Sequence, residues 1–471
     1  MSILVRRVLA VTLSVFLIGC DAKSNDEKRA QAVFDPTPDA GDLGFVHALA
    51  DGPDLRIVFA GSNGGSDQFE LGFGQARQAS QLVGGYNVQV TYTDAGGSTV
   101  TLLERVGDNN IKLFPDDEIT VVLAGTLADP KIFLVENPEY LYGIEDPANI
   151  QESPQIQFMH TVSGRGTLDF YLTGSGDDLA GATPVTLSFG AVSALQDIDA
   201  GSAYRVRVVP AGQPDTVLYD SGSTAFNTNT RALLGAFPYF GPAAAQLRLK
   251  RIRNVAAAFP NEPYPAWYRA THLVADVPET DLYLGATSGT PVLSAQPFAQ
   301  VSPYQQRARG TVTTNLTVAG SPGDVLFSDA LGLQAGDATS IFVAGLRADA
   351  DTNPIGIAAL EDIRAIPGYA QVRAVHGSPS GVPLNVYLLR PGETTSGKEP
   401  LLALEYGGTR SRTVGAGDRN LVVESTGGSV LIGPERITLS ETSSYTLLLT
   451  DAPGGGSPLN WTLVPGPVTV D

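Results

Sequence analysis

Residues 43–59 read LGFVHALADGPDLRIVF, and the pattern returns as IQFMHTVSGRGTLDFYL at 156–172, YRATHLVADVPETDLYL at 268–284 and VRAVHGSPSGVPLNVYLL at 372–389. The copies align without a gap on His47, His160, His272 and His376, the four histidines of the chain. Nine residues after each stand Arg56, Asp169, Asp281 and Asn385. Apolar residues alternate before each histidine, as in Leu43 and Phe45, and again after the turn, as in Leu168, Phe170 and Leu172. A period of two marks a strand with one buried face. The Asp, Gly, Pro and Ser residues between supply turn geometry. Each copy therefore reads as a hairpin of two strands, with the histidine ending the first strand on its core-facing side.

The histidines lie 113, 112 and 104 residues apart. Solenoid and propeller repeats run at roughly 20–50 residues, whereas a β-sandwich domain takes about 100. Gly and Pro are abundant, and Val, Thr, Tyr and Phe recur in short runs without a long helical pattern. The expected fold is all-β: four tandem immunoglobulin-like β-sandwich domains at 41–150, 151–264, 265–368 and 369–471, strung out as an elongated chain. EITVVLAG (118–125), TSIFVAGL (339–346) and SYTLLLTD (444–451) fall late in domains one, three and four as equivalent inner strands.

The His-x-Ser-Pro form of HGSPS (376–380), with Leu-Asn-Val-Tyr after the turn, resembles the bacterial domain-of-unknown-function 4397 family. The second and third copies keep Asp-x-Tyr as Asp169/Tyr171 and Asp281/Tyr283, and the fourth has Asn385 and Tyr387; the first departs, with Arg56 and Val58. Acidic segments at Glu145-Asp146 and Glu361-Asp362 resemble the family's domain ends. The resemblance implies an envelope or secreted β-rich module and brings no known activity with it.

Residues 1–20 read as a signal peptide: Arg6 and Arg7, then the apolar run VLAVTLSVFLI, too short to span a bilayer stably. Leu17-Ile18-Gly19-Cys20 resembles the bacterial lipobox, and Cys20 is the single cysteine of the chain. That resemblance implies cleavage between Gly19 and Cys20, a diacylglyceryl group on the thiol and acylation, by palmitate or a similar chain, of the new amino terminus. Several acyl chains anchor almost permanently. Asp21 resembles an inner-membrane retention signal whose reading varies among bacteria, so either membrane, and a periplasmic or outer face, stays open. Residues 21–40 are polar and read as a flexible tether. A lone cysteine leaves no intrachain disulfide, so stability must come from the cores.

Acidic side chains outnumber basic ones 49 to 30, and removing the signal leaves a net charge of −21. Phosphate binding needs clustered Lys and Arg, so this charge disfavours nucleic acid, and no nucleic-acid partner is expected. Contact with a membrane should come from the lipid alone.

The histidines are not expected to share one metal, since equivalent points of tandem domains lie roughly 30 Å apart unless the domains close into a ring. A site in each domain fails because Arg56 cannot ligate a cation. They read as structural, hydrogen-bonding turn backbone at the rim of the core. Asp349, Asp351 and Asn353 alternate like the start of a calcium loop, but Pro354 and Leu360 replace its Gly and closing Glu, and a solvated loop is expected. GETTSGKE (392–399) has phosphate-loop spacing without the closing Ser or Thr, and GSPSG (377–381) puts Pro379 where a nucleophile belongs. GFGQAR, GSGDDLAG and GAGDRN lack the third glycine of a dinucleotide loop. AQLRLKRIR (245–253) reads as an edge strand kept soluble by interleaved charge, with a basic partner patch as the other reading. Tyr171, Tyr283 and Tyr387 fall on the strand face opposite the core, to cover a neighbouring strand or to contact carbohydrate or protein.

The expected protein is a non-catalytic, lipid-anchored cell-envelope lipoprotein without a cofactor, a binding or scaffold module whose partner is an envelope protein or carbohydrate. The competing expectations are a polysaccharide- or peptidoglycan-active hydrolase using carboxylates and a cation-stabilised adhesin.

Overall fold

The computed structural model describes residues 40–114, 117–137, 153–228, 231–241, 247–252, 257–347 and 354–466. Among them, eight sheets pair into four sandwich units, and the one helical element is the three-residue turn Gly107–Asn109. The first unit runs β1 (Ala40–Leu49), β2 (Leu55–Gly61), β3 (Ser66–Leu71), β4 (Ala76–Leu82), β5 (Gly84–Thr93), β6 (Thr99–Arg105), β7 (Ile111–Leu113), β8 (Glu118–Gly125) and β9 (Pro130–Asn137). One sheet has the order β4-β1-β8-β9; the other has β3-β2-β5-β6, with β7 also paired to β5. The units beginning at Gln155, Ala266 and Tyr369 repeat this scheme with small changes at the sheet edges. In each, the strand carrying the histidine pairs parallel with a late strand, putting His47 beside Leu123, His160 beside Ala236, His272 beside Val343 and His376 beside Leu449.

The repeated pattern is not a hairpin. β1 and β2 belong to opposite sheets, and so do the equivalent strands of the other three units. The turn after each histidine is thus a corner that carries the chain across the core. Alternation allows both arrangements, because strands in facing sheets aim their apolar residues at one core just as paired strands do. In the first unit Leu43, Phe45 and Leu49 from β1 meet Leu55, Ile57 and Phe59 from β2, with Val88, Val90, Val121 and Leu123 closing the cluster. The other units have cores of the same kind.

The units are not strung out. The outer face of the histidine sheet in unit one packs on that of unit two, where Val46, Ala48, Val122 and Ala124 bury against Met159, Leu233, Phe237 and Ile252. Units three and four do the same through Leu273, Phe342 and Ala344 against Val375 and Leu448. Unit two joins unit three through the Arg248–Asp337 ion pair, beside a bond from the linker Asn261 N–H to the Ala335 carbonyl at 2.9 Å. The cycle closes between four and one: Arg364, just before unit four, donates to the carbonyls of Ala50 (3.2 Å) and Gly52 (3.0 Å), and Tyr369 Oη donates to the Thr93 carbonyl at 2.9 Å. The elongated arrangement expected from the spacing is therefore wrong. Strands such as Glu118–Gly125 and Ala338–Gly345 are apolar along nearly their whole length, and a strand apolar on both faces must be covered on both.

Candidate functional site

Two features concentrate polar chemistry: the histidine corner of each unit and the cavity where all four units meet. At the first corner the Leu49 N–H donates to His47 Nδ1 (3.2 Å), and Nε2 faces the Pro53 carbonyl at 2.9 Å. Both bonds are satisfied together when the ring is neutral and carries its proton on Nε2. His160 repeats the arrangement with Val162 N–H (3.2 Å) and the Gly166 carbonyl (2.9 Å), and His376 with Ser378 N–H (3.4 Å) and the Val382 carbonyl (3.1 Å). His272 sits at the same corner, but among the described residues neither of its ring nitrogens completes a hydrogen bond. Burial lowers all four. His47 is pushed down to about 3, by burial and then by Arg364, and His272 to about 4 by burial. His160 and His376 move the same way for the same first reason.

An aromatic ring meets each histidine edge-on: Phe73 on His47 (5.9 Å between centroids), Phe189 on His160 (6.1 Å), Phe298 on His272 (5.8 Å) and Tyr406 on His376 (6.2 Å). The next residue, Gly74, Gly190, Ala299 or Gly407, has positive φ and donates its N–H to the histidine's own carbonyl at 2.7–3.0 Å. This second half of the corner was missed in the sequence, where it is visible as FGQ, FGA, FAQ and YGG, 26–30 residues after each histidine. At Gly190 a Cβ would stand 2.2 Å from the Phe133 ring of unit one, so the corner is also where units touch.

The residues nine places on are drawn into the fold as well. Asp169 accepts from Thr186 Oγ1 (2.6 Å) and the Gly212 N–H (2.8 Å); Asp281 accepts from the Ala295 N–H (2.7 Å) and the Gly320 N–H (2.8 Å). Arg56, in the divergent copy, instead bonds Gln68 at 2.8 Å. Asn385 occupies the equivalent position on the strand Leu384–Leu389. Tyr171, Tyr283 and Tyr387 are only 5%, 4% and 7% exposed, which leaves little surface for an outside ligand. The Ser378 hydroxyl bonds Asp451, while both ring nitrogens of His376 are occupied by backbone, so no nucleophile–base pair forms there. In the phosphate-loop look-alike, Lys398 pairs with Glu393 of the same loop at 2.6 Å.

The second feature is a cavity of about 490 Å³ to which all four units or their linkers contribute. Unit two supplies Arg248 and Lys250, unit four Arg373, Arg410 and Arg412, and unit one Asp54, while Glu361 and Asp362 come from the chain between units three and four. The strand Leu247–Arg251 lies between Arg231–Pro238 and Ala257–Ala258 and is not a solvated edge, contrary to expectation. Its basic residues reach other units: Lys250 Nζ donates to the Gly74 carbonyl (2.9 Å), and Arg248 pairs with Asp337. Neighbouring acids cluster here without gathering for a metal: among the described residues no group of three His, Cys, Asp or Glu side chains is placed to hold an ion. Gly19, Cys20, Glu145, Asp146, Asp349, Asp351 and Asn353 lie outside the described residues. Among those described, no helix is long and apolar enough to cross a membrane.

Residues 266–387 match the family described as Domain of unknown function (DUF4397). That span holds the whole corner of His272 and the first half of the corner of His376, and ends inside unit four. No curated protein matches the chain. Among solved structures, the Bacillus anthracis TIE protein is 11% identical, covers 88% of this chain and 74% of its own, and has a TM-score of 0.15. A protein described as an adhesin from Bacteroides ovatus is 9% identical over 51% of this chain and 97% of its own, also with a TM-score of 0.15. A protein described as a cell adhesion protein from Parabacteroides distasonis is 9% identical over 93% of this chain and 98% of its own, with a TM-score of 0.10.

Proposed function

We propose that this chain is a non-catalytic binding or scaffold module of the bacterial cell envelope, held to a membrane by lipid on Cys20. The observation that carries the non-catalytic part is how the repeated polar residues are used. Three of the four histidines spend both ring nitrogens on backbone, and Asp169 and Asp281 spend their carboxylates on turn N–H and hydroxyl groups. A repeated catalytic group would need a free lone pair or proton at the substrate. The envelope address rests on the lipobox resemblance at Leu17–Cys20, and the domains at 41–150, 151–264, 265–368 and 369–471 are proposed as four related copies. Replacing Cys20 with Ala tests the anchor: the protein should leave the membrane fraction, and continued fractionation with lipid refutes it.

One observation favours a carboxylate hydrolase as a second reading. Asp54 and Asp362 line the same cavity and are moved in opposite directions. Burial raises Asp54; burial also pushes Asp362 upward, but the Arg364 guanidinium and its hydrogen bonds outweigh that and hold it low. Carboxylates pushed apart in this way can divide acid and base roles. Peptidoglycan cleavage by the purified chain that Asp54→Asn abolishes would support this reading, and no cleavage by the unaltered chain would dismiss it.

A further inference from the structure

The central cavity has a charge balance opposite to that of the chain. Acidic residues exceed basic ones 49 to 30 overall. On the cavity wall Arg248, Lys250, Arg373, Arg410 and Arg412 face only three acids, Asp54, Glu361 and Asp362. Those acids are already engaged. Asp54 accepts from the Thr413 N–H (3.1 Å) and lies 4.0 Å from Arg412; Glu361 pairs with Arg269 (3.1 Å) and lies 3.9 Å from Arg373; Asp362 pairs with Arg364 (3.0 Å); and Arg248 is paired with Asp337 outside the wall. Among the described residues, Lys250 and Arg410 have no carboxylate in ion-pair contact. Lys250 is directed at a carbonyl and the Phe237 ring, with its Nζ 5.7 Å from the ring centroid.

We propose that this cavity binds a small multivalent anion carrying phosphate or carboxylate groups, held chiefly by Lys250 and Arg410. Several cations brought together from separate units repel one another, and that repulsion is relieved by an anion between them. About 490 Å³ suits a small organic anion, since ligand sites commonly span ~300–1,000 Å³. Burial, and then the neighbouring Arg248, push the Lys250 ammonium down to about 8, consistent with a cation that lacks its counter-charge. Because units two and four supply the cations, the anion would also tie opposite sides of the cycle together. The inference deepens the reading of the chain as a binding module, and it stands or falls separately from the lipid anchor tested at Cys20.

The test is calorimetric titration of the whole chain with inorganic phosphate and, separately, citrate, against sodium chloride at matched ionic strength. Saturable binding near one anion per chain is expected for at least one probe; phosphate alone would point to phosphoryl ligands, citrate alone to carboxylates. Lys250→Met should abolish the binding. Because Lys250 also bridges to Gly74, the second variant is Arg410→Ala, at an exposed residue, which should weaken binding about fivefold with an unchanged melting temperature, in line with loss of one partly solvated charge-assisted contact. Heats that follow ionic strength alone would overturn the proposal. So would binding that both variants leave intact, since the anion would then sit elsewhere.

Discussion

Replacing His47 with Ala should be among the most damaging single changes at any corner. The ring is fully buried, and its loss strands the Leu49 N–H and the Pro53 carbonyl, both on buried residues. Each unpaired buried group costs about 1–3 kcal/mol. The edge contact with Phe73 disappears too, leaving a hole where an aromatic ring packed. Together these predict a loss of about 3–5 kcal/mol. His376→Ala makes the useful comparison: Val382, whose carbonyl it faces, is 49% exposed, so water can replace the ring. That variant should lose only about 1–2 kcal/mol. Urea unfolding followed by circular dichroism measures both, with hydrogen exchange at the Leu49 amide locating the damage. A loss below about 1 kcal/mol for His47→Ala, or equal losses for the two variants, would refute the reasoning.

Acid should destabilise the protein early. Each histidine titrates lower folded than unfolded, so the unfolded chain binds the proton first, and the stabilisation present above 6.5 is lost as pH falls toward the folded values, about 3 for His47 and about 4 for His272. The slope approaches roughly 1.4 kcal/mol per pH unit for each such histidine, and stability that stays flat between pH 7 and 5 would contradict it. Asp169→Ala should cost about 0.5–1.5 kcal/mol, since the Gly212 N–H and the Thr186 hydroxyl it frees are exposed and water can replace the carboxylate, with Asp169→Asn milder; equal melting temperatures for these variants and the unaltered chain would count against that role. Gly190→Ala should destabilise despite adding one methyl group, because the backbone there has φ +83° and the new Cβ would strike the Phe133 ring; a neutral or stabilising result would mean the unit one–unit two contact is looser than drawn.

The strand alternation and the spacing of the histidines made the four sandwiches readable in advance, because a period of two has one meaning for local structure. It says nothing about whether two adjacent strands share a sheet, and the hairpin reading failed at that point. The corner's second half escaped because Phe73-Gly74 or Tyr406-Gly407 means little without the fold that carries it back to a histidine nearly thirty residues earlier. Evidence against an extended chain was present in EITVVLAG and TSIFVAGL, whose unbroken apolar runs serve two interfaces at once. Of the central cavity only the basic stretch 245–253 stood out, and it read first as an edge strand. Lys250, Asp362 and Arg410 come from distant stretches, and each looks like ordinary surface charge until the units close around them.

Small-angle scattering from the chain beginning at Ala40 tests the closed cycle most directly. A single compact body of this length has a radius of gyration of about 22 Å. Four domains in line, each about 13 Å in radius of gyration and about 30 Å from the next, would give about 36 Å. A value near the first agrees with contacts running from unit four back to unit one; a value near the second contradicts them, and the shared cavity with them.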